Sequence, residues 1–213
     1  MHPVFSQIEA IGIVPVIQIG DASLAQPLAE ALISGGVPCA EITFRTEQAA
    51  DAIRRIAGAY PEVLVGAGTV LTPEQADRAL DAGARFAVSP GLNARVVEHC
   101  LNIGLPIAPG CATPSDVERA LELGLDCVKF FPAEQAGGVA YIQALAAPYS
   151  GVRFMPTGGV SPDNLAPYLK CKAVLACGGS YIATPKLMEA GAWAEITALC
   201  RKSREIVRQA RTQ

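Results

Sequence analysis

Charge is scarce in this 213-residue chain: Asp, Glu, Lys and Arg make up 17% of it, and their formal sum is −3. With so little charge and 51% hydrophobic residues, the chain is expected to fold into an ordered globule rather than stay disordered. The slight acidic excess argues against nucleic acid as a partner. Arg201, Arg204, Arg208 and Arg211 read as the solvated side of a last helix. Histidine is rarer still: only His2 and His99 occur, far apart. That leaves no His-rich zinc site and weakens any metal-dependent mechanism. The 7 cysteines form no CxxC pair and are odd in number. Cys39, Cys100, Cys111, Cys127, Cys171, Cys177 and Cys200 therefore read as buried, reduced, small hydrophobes. No apolar run is long enough to span a bilayer. Residues 1–10 lack the basic-then-apolar order of an export signal. Both absences point to the cytoplasm and away from a membrane partner.

What is present is repetition. After a short N-terminal helix (5–10), one phrase recurs: an apolar run, a turn, an amphipathic helix. The strand candidates are 12–19, 39–44, 63–70, 86–90, 106–109, 127–131, 153–156 and 173–176. Helix candidates between and after them are 23–34, 47–59, 73–82, 94–102, 114–123, 139–146, 162–169 and 192–210. Thr72-Pro73, Thr113-Pro114 and Ser161-Pro162 each supply a capping hydroxyl followed by proline at the first helical position. Gly35, Gly83, Gly104 and Gly124 mark helix ends, where a left-handed residue is needed. Nearly continuous apolar strands alternating with helices require a parallel sheet covered by helices. Eight such units in a chain of this length match an α/β fold of the (β/α)8 TIM-barrel type, as one domain over 1–213. A doubly wound open sheet is the rival, but Gln18-Ile19-Gly20-Asp21 after the first strand is not a GxGxxG turn.

In a barrel, function lies where strands end and loops begin. Three strands carry polar residues inside apolar runs. Cys127-Val128-Lys129-Phe130-Phe131-Pro132 holds a lysine, one of five in the chain and the first along it. A lysine is seldom buried without a partner or a task, and a desolvated one can act as a nucleophile, which arginine cannot. Snorkelling from the strand edge or pairing with a carboxylate is the alternative. In Glu41-Ile42-Thr43-Phe44-Arg45, the two-residue period puts Glu41, Thr43 and Arg45 on one side. Glu41 could shuttle protons, or form an ion pair with Lys129; Arg45 could take a substrate carboxylate. Gly66-Ala67-Gly68-Thr69-Val70 ends a strand with glycines that would let a ligand approach the backbone, and with a hydroxyl donor. Thr157-Gly158-Gly159 and Gly178-Gly179-Ser180 follow the last two strands, at loops where barrels often bind phosphate.

Taken together, these segments with Gly66–Leu71, Ser89-Pro90-Gly91, Lys129-Phe130-Phe131-Pro132-Ala133-Glu134 and Pro156-Thr157-Gly158-Gly159 resemble the 2-keto-3-deoxy-6-phosphogluconate (KDPG) aldolases, the class I aldolases of the Entner–Doudoroff pathway. The resemblance runs through nearly the whole chain in order. It implies cleavage of a phosphorylated keto acid to pyruvate and D-glyceraldehyde 3-phosphate, with no metal and no cofactor. Lys129 would be the Schiff-base lysine and Glu41 the general acid/base. Arg45 and Thr69 would hold the pyruvyl carboxylate, Thr157 the hydroxyls, and Gly158, Gly159, Gly179 and Ser180 the phosphate, between walls formed by Pro90 and Phe131. The family is typically a homotrimer. Relatives acting on 4-hydroxy-2-oxoglutarate (KHG) or on the galactonate isomer share much of this pattern, and a non-catalytic barrel that binds phosphorylated metabolites is the reading from another class.

Overall fold

The alternation read from the sequence folds into eight parallel strands with helices outside them, in a computed structural model that describes residues 1–212. The strands are β1 (Ile13–Ile17), β2 (Cys39–Thr43), β3 (Leu64–Gly68), β4 (Ala87–Val88), β5 (Ile107–Ala108), β6 (Cys127–Phe130), β7 (Arg153–Pro156) and β8 (Cys177–Gly179). The helices are α1 (Pro3–Ile11), α2 (Ala25–Ser34), α3 (Ala49–Ala59), α4 (Pro73–Asp81), α5 (Ala94–Asn102), α6 (Pro114–Glu122), α7 (Gly138–Ala146), α8 (Leu165–Lys170), α9 (Pro185–Glu189) and α10 (Trp193–Arg211). A short 3-10 turn, Ala22–Leu24, leads into α2.

Six strands pair in the order β5-β4-β3-β2-β1-β8, and β6 pairs with β7. Parallel bridges close the ring: Gly110 with Lys129 joins β5 to β6, while Phe154 with Val174 and Thr157 with Gly178 join β7 to β8. The open-sheet rival is thereby excluded. A closed ring needs each strand covered by a helix outside and filled by side chains inside. The outer layer is lined by residues such as Ile17, Ile42, Val65, Val128 and Phe154 against the helices. The inner layer gathers Val14, Cys39, Leu64, Phe86, Val88, Cys127 and Met155, together with Val4, Phe5 and Ile8 of α1. The N-terminal helix therefore plugs the base of the barrel, and the polar residues are left to the other end.

Several boundaries differ from the sequence reading. The last strand lies at Cys177–Gly179, not at 173–176. Residues 174–176 of this run are buried, yet only Val174 bridges to β7, and the Leu175 carbonyl accepts from the Arg211 side chain. The ladder to β1 starts where Cys177 pairs with Ile13. Burial and backbone pairing are separate demands, and the apolar pattern reports the first. Residues 162–164 form a turn before α8: Asn164 Oδ1 accepts from the Ser161 N–H at 2.7 Å. Gly35 is not left-handed; Gly36 is, with φ 75°. Gly35 is small because α10 crosses it, and a Cβ there would run into Cys200 and lie 3.0 Å from the Thr197 carbonyl oxygen. Helix α9 was not expected, although Thr184-Pro185 repeats the hydroxyl–proline start and Thr184 does accept from the Leu187 N–H. The C-terminal arginines are not simply solvated. Arg204 donates to the Ala10 and Ile11 carbonyls, Arg211 to those of Glu9 and Leu175, and Arg201 to that of Ser34. Apart from that of Leu175, these are carbonyls left unpaired where α1 and α2 end. All seven cysteines are buried and free.

Candidate active site

Strand alternation decides which side chains enter the barrel above the apolar layer. On β2, Ala40 and Ile42 face the helices, so Glu41 points inward; it is fully buried. On β6, Val128 and Phe130 face outward and Lys129 inward, 5% exposed. The two meet with Lys129 Nζ 3.2 Å from Glu41 Oε1. Lys129 Nζ also lies 5.4 Å from the centroid of the Phe131 ring. Desolvating such a pair costs more than its attraction reliably returns, so it is a poor device for stability alone. Glu41 Oε2 is buried with no hydrogen-bond partner in the structure. The pair therefore keeps an unused acceptor beside an amine, as proton-transfer chemistry requires.

The glycines of β3 serve this pair in an unforeseen way. The sequence suggested that Gly66 and Gly68 admit a ligand; the space is instead taken by protein. A Cβ on Gly68 would lie 2.7 Å from Glu41 Cγ, and one on Gly66 2.5 Å from the Phe86 ring. Gly68 is thus a slot for the Glu41 carboxylate, and Gly66 one for a core aromatic. Just beyond, Thr69 is half-buried with φ 57°, a left-handed conformation uncommon outside glycine and concentrated at functional sites. Thr43, facing inward beside Glu41, donates to the Ile17 carbonyl at 3.0 Å and is committed to the scaffold. Arg45 leaves the end of β2 exposed, with no carboxylate partner among the described residues.

Across the mouth, Thr157 ends β7 almost fully buried, and its Oγ1 has no partner. Gly178 of β8 makes room for it, since a Cβ there would lie 2.9 Å from Thr157 Cγ2. The following loop is held by its carbonyls: Glu134 N–H donates to the Gly158 oxygen at 3.1 Å, and the Asn164 amide to the Gly159 oxygen at 3.0 Å. Among the described residues the N–H groups of Gly158, Gly159 and Ser180 donate to no acceptor. Both glycines have positive φ, 99° and 78°. Glu134 is in turn hydrogen-bonded by the Tyr168 hydroxyl, whose pKa burial raises, with the Glu134 carboxylate adding to the rise. The result is a fixed loop presenting free N–H groups, the usual composition of an anion cradle. Phe131 touches this loop, 3.4 Å from where a Gly158 Cβ would be. Pro90 sits over Gly110, whose missing side chain lets the two backbones meet. Lys129, Glu41 and Phe131 thus come together directly, and Thr157, Gly158, Gly159 and Phe131 form a second group. Gly179 and Ser180 adjoin Gly178. Arg45, Thr69 and Pro90 stand just beyond the ends of β2, β3 and β4. No cluster of three or more potential metal-binding side chains occurs among the described residues.

Comparison with known proteins agrees with this geometry. Residues 4–199 match the family model of the KDPG and KHG aldolases. The chain is 51% identical to the 2-dehydro-3-deoxy-phosphogluconate aldolase of Treponema pallidum over 97% of its length and 99% of that protein's. It is 47% identical to the KHG/KDPG aldolase of Escherichia coli, over 91% of each chain. A solved KDPG aldolase of Legionella pneumophila, with pyruvate captured at low pH as a covalent carbinolamine intermediate, superposes with a TM-score of 0.88 at 38% identity, covering 94% of this chain and 97% of its own. With matching residues spread from the base plug to the last helix, and the buried lysine–glutamate pair between, the chain belongs to the KDPG and KHG aldolase family.

Proposed function

We propose that the protein is a class I aldolase, an aldehyde-lyase that cleaves 2-keto-3-deoxy-6-phosphogluconate to pyruvate and D-glyceraldehyde 3-phosphate. The observation that carries this reading is the buried contact between Lys129 and Glu41 at the strands' C-terminal ends. Lys129 as the free amine adds to the C2 ketone, giving a carbinolamine that loses water to form an iminium. When the C4 hydroxyl gives up its proton, the C3–C4 electron pair flows into the iminium. The aldehyde leaves, and an enamine of pyruvate remains on the lysine. Protonation at C3 and addition of water release pyruvate and regenerate the amine. Glu41 is the group within reach of each proton transfer, its Oε2 being unengaged.

In this reading Arg45 and Thr69 bind the pyruvyl carboxylate, which suits an unpaired guanidinium and a hydroxyl at neighbouring strand ends. Thr157 Oγ1 hydrogen-bonds a substrate hydroxyl, consistent with its lack of a protein partner. The free N–H groups of Gly158, Gly159 and Ser180, with Gly179, receive the phosphate, and Pro90 and Phe131 form walls. The chain works as one domain over 1–213 in the cytoplasm. Its assembly is a homotrimer, a proposal supported by α7, which carries no charged residue yet buries only Ile142 and Leu145 and leaves Tyr141 37% exposed. No helix among the described residues is long and apolar enough to cross a membrane.

The test is borohydride reduction in the presence of pyruvate, followed by peptide mass mapping. A stable pyruvyl adduct on Lys129 is the expected result. An adduct confined to an exposed lysine such as Lys186, or none on folded protein, would sink the mechanism.

A further inference from the structure

At the base of the barrel, away from Lys129, the surface is strongly basic. A cavity of about 400 Å³ there is lined by Glu9 of α1, Arg153 of β7, Lys170 and Lys172 around the end of α8, and Arg211 of α10, with Val174 and Ala210 among its apolar parts. Four cations against one carboxylate is a pronounced local excess in a chain of net charge −3. The cations come from separate elements, so the fold assembles them rather than a run of sequence. Lys170 and Lys172 enter no ion pair among the described residues. Arg153 gives one amino group to Glu9 at 2.6 Å and to the Val174 carbonyl at 3.3 Å. Its Nε–H, however, is buried without an acceptor. An unpaired buried donor on a charged group is costly, and native structures keep few of them. Burial lowers the pKa of Arg211, Glu9 opposes the shift, and Arg153 and Arg204 add to it, so these guanidiniums act on one another. A larger cavity of about 500 Å³ also borders Arg211 and is lined by Arg201, Arg204 and Arg208, the last paired with Glu205.

We propose that the cavity between Arg153, Lys170, Lys172 and Arg211 is a binding site for a small multivalent oxyanion, a phosphate ester or a polycarboxylate, separate from the reaction centre. Such an anion pairs with the exposed ammonium groups of Lys170 and Lys172, which no carboxylate engages among the described residues, and offsets the repulsion among the guanidiniums. It also ties α1, β7 and α10 together, so binding is read as stabilisation of the folded chain.

Thermal unfolding with sodium pyrophosphate or citrate, at ionic strength matched with sodium chloride, tests this. The measurement is made in a Ser180→Asp background, where a carboxylate in the glycine loop keeps anions from the catalytic end. At about a hundredfold excess over Kd, a Tm rise of roughly 5–10 °C is expected for a chain of this size. Adding Lys170→Ala and Lys172→Ala, both exposed and outside the catalytic machinery, abolishes most of that rise. In an otherwise unchanged chain, the same lysine pair of exchanges leaves the cleavage rate as it was. Pyrophosphate alone raising the Tm assigns the site to phosphoryl groups, and citrate alone to polycarboxylates; either supports the proposal. No rise with either probe, or a full rise persisting without the two lysines, overturns it.

Discussion

A methyl group added at Gly68 would meet Glu41 Cγ at 2.7 Å, whereas one added at Gly66 would meet the Phe86 ring at 2.5 Å. The two glycines lie two residues apart on one strand and face the same way, yet they guard different things. Gly68→Ala must push the Glu41 side chain away from Lys129. Overpacking of this kind costs about 1–3 kcal/mol of stability. Displacing a reacting group by about an ångström costs on the order of 10²-fold in rate. Gly66→Ala is expected to lose similar stability in the core layer below while largely sparing kcat. Urea unfolding and steady-state cleavage of the two variants check the contrast; equal kcat losses would mean that Gly68 has no special relation to Glu41. At this scale the sequence was legible where chemistry is unusual: a lysine and a glutamate inside apolar strands announce themselves. The purpose of Gly66 and Gly68 was not legible, because a missing side chain does not say whether a ligand or a neighbouring residue fills the gap.

Helix α1 has few local reasons to be stable beyond Pro3 at its first position and the His2 cap. Its order comes from packing, with Val4, Phe5 and Ile8 buried inside the base of the ring and Arg204 and Arg211 gripping its last carbonyls. Ile8→Ala opens a cavity in a ring too rigid to close over it, with an expected loss of about 2–5 kcal/mol. Cleavage at saturating substrate should be nearly unchanged in the folded fraction, because the plug lies below the Lys129 layer. Chemical denaturation paired with kcat separates those two effects. Thr72-Pro73 and Thr113-Pro114 made the starts of α4 and α6 readable, and α5, with Asn93 as its cap, was placed residue for residue at Ala94–Asn102. Ser161-Pro162 shows that the same pair does not by itself mark a helix start, and Thr184-Pro185, which does start α9, was not expected to. The last strand was misplaced because its limits are set by Ile13 pairing with Cys177 across the ring closure, a partner more than 160 residues away. No local window contains that information.

For the whole molecule, the barrel was legible from eight repeats of one phrase, since a parallel sheet of near-continuous apolar strands must be covered and the ring is a compact solution for it. How copies of that ring associate was suggested only by the family resemblance and by α7. Sedimentation at micromolar concentration is expected to give three times the 22.2 kDa chain mass. A monomer there would remove the trimer and leave α7 as an ordinary surface helix. Six of the seven buried thiols carry a different consequence, one of time rather than of shape. Burial pushes the pKa of Cys100 up to about 11 and those of Cys111 and Cys200 up to about 12, and raises those of Cys39, Cys127 and Cys177 as well. Alkylating reagents attack thiolates, so these six thiols are nearly inert to them at neutral pH in the folded chain. Each thiol therefore waits for its own layer to open. Cys100 and Cys200 sit between helices and barrel, and Cys39 and Cys127 inside the ring beside the α1 plug. The order in which they become labelled is a record, written by the protein itself, of whether the shell peels before the ring breaks.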